Sequence, residues 1–163
     1  MTCLHGVSTS RSRAGMTLVE LAVMLAVFGI VLAASAPSLH SILEGYRHRN
    51  AVDSVKARLV ITRGLAVSTK IPHVVTVDPV ASRLFVFADT DADGVFDAGE
   101  RSRGPFEVDP GVNLVNVDWA QNQISFRPDG TASQTGSIRV QDDDGRSKTI
   151  RVSSMTGSAQ VLP

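Results

Sequence analysis

Hydrophobic and polar positions divide the chain into four zones. Residues 1–15 are polar and Ser-rich, with Arg11 and Arg13 near their end. From Met16 to Ala36 the run MTLVELAVMLAVFGIVLAASA is apolar at nearly every position. About 20 such residues at ~1.5 Å of helical rise span ~30 Å, the hydrocarbon thickness of a bilayer, so the run predicts a transmembrane helix. Beyond it Leu39, Ile42, Leu43, Tyr46, Val52, Val55, Leu59 and Ala66 recur at three- and four-residue steps. That spacing predicts an amphipathic helix over 37–70, with Glu44, Arg47, Arg49, Lys56, Arg58 and Arg63 on its wet face and Ser68, Thr69 and Pro72 ending it.

After Pro72 the period becomes two. Strands are expected at 73–78, 83–88, 112–117, 123–127, 137–141, 149–152 and 159–162, with turns specified by Pro128-Asp129-Gly130 and Asp143-Asp144-Gly145. The economical arrangement is α+β: a long N-terminal helix, transmembrane in its first half and amphipathic in its second, packed on a small antiparallel β-sheet head. The zones are then a leader (1–15), a membrane or filament-core helix (16–36), a stalk helix (37–70) and a β-rich head (71–163).

Charge adds direction to this plan. The 16 basic and 16 acidic residues cancel, which removes any bulk reason to expect a polyanionic partner. Before position 68, however, seven basic residues face three acidic ones, and from Ser68 onward the balance is 9 to 13, so a basic stalk carries an acidic head. Arg11 and Arg13 favour a cytoplasmic leader; Arg47, Arg49, Lys56 and Arg58 beyond the apolar run oppose that bias, although a long folded region translocates despite its charge. Cys3 is the only cysteine, so no intramolecular disulfide forms.

The residues Arg13-Ala14-Gly15-Met16-Thr17-Leu18-Val19-Glu20 resemble the processing site of type IV prepilins and type II secretion pseudopilins. The resemblance implies cleavage by a prepilin peptidase between Gly15 and Met16 and methylation of Met16. Counted from Met16, Glu20 is the fifth residue, Gly29 the fourteenth and Pro37 the twenty-second, all similar to recurring positions of that family's helix. Glu20 also stands out on physical grounds, because an ionised carboxylate inside a membrane costs at least ~2.5 kcal/mol and needs a cation or a proton. The new amino terminus of a neighbouring subunit would supply the cation, making Glu20 an assembly residue. Gly29 and Pro37 are expected to weaken and kink the helix. The alternative is an ordinary secretory signal cut at the small residues Ala33 to Ala36.

Leu84-Phe85-Val86-Phe87-Ala88-Asp89 and Ile124-Ser125-Phe126-Arg127-Pro128-Asp129-Gly130 resemble the pseudopilin H and FimT branch. The resemblance implies a minor pseudopilin of a type II secretion pseudopilus, held in the bacterial inner membrane with its head in the periplasm. Its partners would be the prepilin peptidase, other pilin-like subunits, the inner-membrane assembly platform and lipid, with no small-molecule substrate. A FimT-like minor pilin serving pilus assembly or DNA uptake is the alternative. For DNA the chain offers only Arg146 and Lys148, beside the phosphate-repelling Asp142, Asp143 and Asp144.

Two further points concern chemistry. Asp89 to Glu100 fit the D-x-[DN]-x-[DN]-G-x5-E pattern, with Asp89, Asp91, Asp93, Asp97 and Glu100 as side-chain donors, Val95 as carbonyl donor and Gly94 at the turn. Such a hard-oxygen set suits Ca²⁺, and an unprocessed membrane-anchored periplasmic calcium-binding protein is a third reading. A solvated acidic turn explains the loop equally well. His5, His40, His48 and His73 have no metal spacing and are expected at the surface where they share the helix; no nucleophile with a base and an orienting partner can be named, so no catalytic activity is expected.

Overall fold

The computed structural model describes residues 16–162, and the side chains of all of these except 34–42. Cleavage between Gly15 and Met16 therefore falls at the boundary of the described residues, and Gly15 lies outside them. One helix, α1, covers Leu18–Thr69, 52 residues, and passes through Gly29 and Pro37 without interruption. A methyl group on Gly29 would touch nothing within 4 Å, so this glycine is not needed for close packing within the chain. By its contacts the chain separates into compact units of Met1–Ser41 and Ile42–Pro163.

In the first unit every described side chain from Met16 to Ala33 is exposed. Among the described residues no helix is long and apolar enough to cross a membrane.

The second unit contains the rest of α1 and, among the described residues, eight strands: β1 His73–Asp78, β2 Arg83–Ala88, β3 Ser102–Glu107, β4 Val112–Val115, β5 Gln123–Phe126, β6 Gly136–Asp142, β7 Ser147–Val152 and β8 Ala159–Leu162. All pairings are antiparallel, but they form two four-stranded sheets, β3-β2-β1-β5 and β4-β6-β7-β8, where the sequence pattern led to one. β1 pairs in register with β2 (Val75 opposite Val86) and on its other side with the distant β5 (Val75 opposite Ile124). β3 was not anticipated. Its sequence SRGPFE has no apolar alternation, because it is a largely exposed edge strand, the kind of place where a strand tolerates proline.

A single core joins the helix to both sheets. Val52, Val55, Leu59 and Ala66 of α1 meet Val75, Leu84 and Ile124 from one sheet and Leu114, Ile138 and Ile150 from the other. Each fully buried aliphatic side chain stabilises by ~1.5–3 kcal/mol. The stripe is narrower than expected: Leu43 and Tyr46 are exposed. Conversely, two arginines assigned to the wet face are engaged by the head. Arg58 lays its guanidinium 3.8 Å from the centre of the Phe106 ring, and Arg63 donates from Nε to the Gly130 carbonyl at 2.8 Å.

That last bond closes a corner. Gly130 ends the predicted Pro128-Asp129-Gly130 turn with φ 84°, and Gly157, with φ 59°, packs its Cα against the same Gly130 carbonyl and the Arg63 side chain. Helix, β5–β6 connection and β7–β8 connection are thus joined at one point. Gly145 likewise has φ 83° in the second predicted turn.

Candidate functional site

Three places carry the chemistry that the sequence singles out. The first is the start of α1. Leu21 donates its N–H to the Thr17 carbonyl at 3.1 Å, and Glu20 donates its backbone N–H to Thr17 Oγ1 at 3.2 Å. Thr17 is therefore the N-cap, and Glu20 stands at the third helical position, as in the T-x-x-E capping pattern. The spacing was readable in the sequence and adds a local role to Glu20, since a carboxylate in the first turn meets the positive end of the helix dipole. The Glu20 side chain is exposed, as is Met16.

The second is the loop after β2. Asp89 is 3% exposed and accepts from the backbone N–H groups of Asp93 at 3.1 Å and Gly94 at 3.0 Å. Burial raises its pKa above the ordinary carboxylate value, and these N–H groups oppose that rise without cancelling it. Asp89, Asp91 and Asp93 bring one carboxylate oxygen each within 4.8 Å of one another. Asp97 and Glu100 are not part of that cluster. Glu100 instead accepts from Thr90 N at 2.6 Å, Thr90 Oγ1 at 3.2 Å and Asp97 N at 3.2 Å, closing the loop; the Thr90 N–H is the main cause of its lowered pKa. Val95 is exposed and donates its N–H to Asp93 Oδ1 at 2.7 Å. Three of the five predicted carboxylates are thus assembled, about half the oxygens that Ca²⁺ takes.

The loop is held to the sheet by an aromatic group that sequence reasoning missed. Phe96 sits edge-on to Phe85 and Phe87, with ring centroids 5.1 and 5.5 Å away. The signal was present in the alternation of Phe85 and Phe87 with the core residues Leu84 and Val86.

The third is the basic pair of the β6–β7 turn. Arg146 donates from Nε to Asp142 Oδ2 at 2.7 Å and from Nη2 to Asp144 Oδ2 at 2.6 Å, with Glu44 Oε2 of the helix at 3.8 Å. Its charge is compensated by three carboxylates, which leaves little for a phosphate. Lys148 lies opposite Val140 in the β6–β7 ladder. His48, expected at the surface, is instead buried, with Nδ1 3.8 Å from Asp142 Oδ2. It continues the helix stripe His48, Val52, Val55, Leu59, Thr62, Ala66, whose spacing marks it as inward-facing. His40 falls among the residues whose side chains are not described. Burial pushes the Asp142 carboxyl up, but hydrogen bonds from Arg146 and the charges of Arg146 and His48 outweigh this and hold it below the ordinary value. It therefore stabilises the head above the unfolded carboxylate pKa and gives that contribution up as pH falls through its folded value.

A long helix whose described side chains from Met16 to Ala33 are exposed, with an antiparallel head packed on its second half, defines a pilin-like fold. The chain is similar in fold to the minor pseudopilin EpsH from the type 2 secretion system of Vibrio cholerae, at 13% identity and TM-score 0.55 over 71% of this chain and 96% of that one. It is also similar to the type IV minor pilin FimU of Pseudomonas aeruginosa, at 19% identity and TM-score 0.57 over 74% and 91%. No curated protein matches the sequence. The family model for type II transport protein GspH matches residues 51–157, and the chain belongs to that family. The matched residues lie wholly in the second unit, so the assignment rests on the second half of α1 and the head rather than on the N-terminal motif.

Proposed function

We propose that the chain is a minor pseudopilin of a type II secretion pseudopilus. It is cut between Gly15 and Met16 by a prepilin peptidase, methylated at Met16, held in the inner membrane by residues 16–36 and drawn by the assembly platform into a filament with other pilin-like subunits. The observation that carries this reading is the exposure of every described side chain from Met16 to Ala33 beside a head with a complete core of its own. Apolar surface of that extent demands lipid or neighbouring helices. The reading assigns export support, not catalysis, to the chain.

Intact-mass measurement of the native protein tests it. A mass beginning at methylated Met16 is expected; a full-length chain or one starting after Ala36 would overturn the proposal. Likeness to FimU supports the neighbouring reading, a minor pilin of a type IV pilus in pilus assembly or DNA uptake. The ion pairs of Arg146 speak against its DNA-uptake form. Loss of export rather than of pili on deleting the gene separates the two.

We also propose weak Ca²⁺ binding at Asp89, Asp91 and Asp93, supported by their convergence; Asp97 and Glu100 would have to turn inward to complete the set. Ca²⁺ at about ten times its Kd stabilises a folded protein by ~1.4 kcal/mol. A rise in melting temperature with Ca²⁺, abolished by Asp91→Asn, is expected, and an unchanged melting temperature at millimolar Ca²⁺ refutes the site.

A further inference from the structure

Between the second half of α1 and β3 lies an open groove. One part, about 750 Å³, is lined by Leu65 and Thr69 of the helix, Ile71 and His73 beyond it, and Arg101 and Arg103 at the start of β3. A second part, about 300 Å³, runs back along the helix past Ile61 and Arg58 to Phe106. Leu65, Val86 and Arg103 line both. The floor is apolar and the rim basic. No acidic residue lines either part, although the head as a whole is acidic from Ser68 onward, 13 acidic residues to 9 basic.

Among the described residues the basic rim has no internal counter-charge. Arg101 and Arg103 are exposed, and neither takes part in an ion pair among the described residues. Glu100, beside Arg101 in sequence, directs its carboxylate to the N–H groups of Thr90 and Asp97. Exposed cations around an apolar trough leave a charge that only a ligand or solvent ions can balance.

We infer that this groove takes an extended acidic peptide segment of another protein, with carboxylates on the arginines and apolar side chains on the Leu65–Val86 floor. From Arg58 to Thr69 the helix is about 16 Å long, the span of about five extended residues. Strand addition to β3 does not supply the recognition: Pro105 removes a donor and the pairing slips between Leu84 and Val86. A nucleic acid fits less well. Its bases need an open aromatic platform, but of the two rings that line the groove Phe106 is covered by Arg58 and Phe87 is buried.

The test titrates the full chain in detergent into a fluorescein-labelled peptide alternating glutamate with leucine, read by anisotropy. Saturable binding that weakens with salt is expected, about tenfold weaker in the double variant R101E/R103E and unchanged in R151E on the other sheet. Both arginines are exposed, so the double variant should keep the wild-type melting temperature; if it does not, R101Q/R103Q carries the comparison. Absence of binding, equal binding of a glutamine-for-glutamate peptide, equal or tighter binding of a single-stranded oligonucleotide, or indifference to the double substitution would each overturn the assignment.

Discussion

Glu20→Ala is expected to leave the chain in the membrane fraction and remove it from the filament. The carboxylate opposes insertion by at least ~2.5 kcal/mol on lenient scales, so its loss makes membrane residence easier. What disappears is its pairing with the amino terminus of a neighbour, which in an apolar surrounding is worth enough to lower co-purification with other pilin-like subunits by more than about tenfold. A purely local role predicts something different. Thr17 Oγ1 caps the helix at the Glu20 N–H, and loss of such a cap costs about 1 kcal/mol. Thr17→Ala should therefore fray the helix start yet leave incorporation nearly intact. Wild-type incorporation of the Glu20 variant, or equal loss in both, would leave the intersubunit pairing without support.

The second large effect concerns the corner at Arg63. Gly157→Ala would place a methyl group against the Gly130 carbonyl, and 3.0 Å from Arg63 Nε, at a residue with φ 59°. The left-handed conformation alone costs alanine about 1–2 kcal/mol. The clash must also move a backbone carbonyl that Arg63 holds at 2.8 Å, which brings the expected loss to about 3 kcal/mol or more, a large share of the ~5–15 kcal/mol that stabilises a typical domain. Gly145→Ala is the matched comparison: φ is 83° there too, but the added methyl meets nothing within 4 Å. Urea midpoints of the two variants should differ clearly, and equal shifts would mean that the close approach at Gly157 contributes nothing.

Much of this architecture is legible in the chain. β1, β2 and β8 fall where alternation places them, and α1 ends at Thr69, within the expected Ser68–Pro72 stop. Alternation states which face of a strand is buried, not which strand lies beside it. The pairing of β1 with β5, forty-odd residues away, and the division into two sheets therefore had no local signal. β3 escaped for a related reason: an edge strand that packs little has no pattern to display. On the helix, sorting residues into apolar and charged misplaced the exposed Leu43 and Tyr46, and it misplaced Arg58 and Arg63 because long basic side chains cover apolar rings or reach carbonyls. In the acidic loop the sequence names every oxygen but cannot say which are already occupied by the loop's own N–H groups, as those of Glu100 are.

The proline in β3 has a last consequence. Heads crowded side by side at high local concentration risk joining sheet to sheet, the route by which ordered domains become irreversible aggregates. A border strand with a missing donor, flanked by Arg103 and Glu107, resists that fusion. In the proposed pseudopilus, subunits added and withdrawn repeatedly would then each keep their own fold.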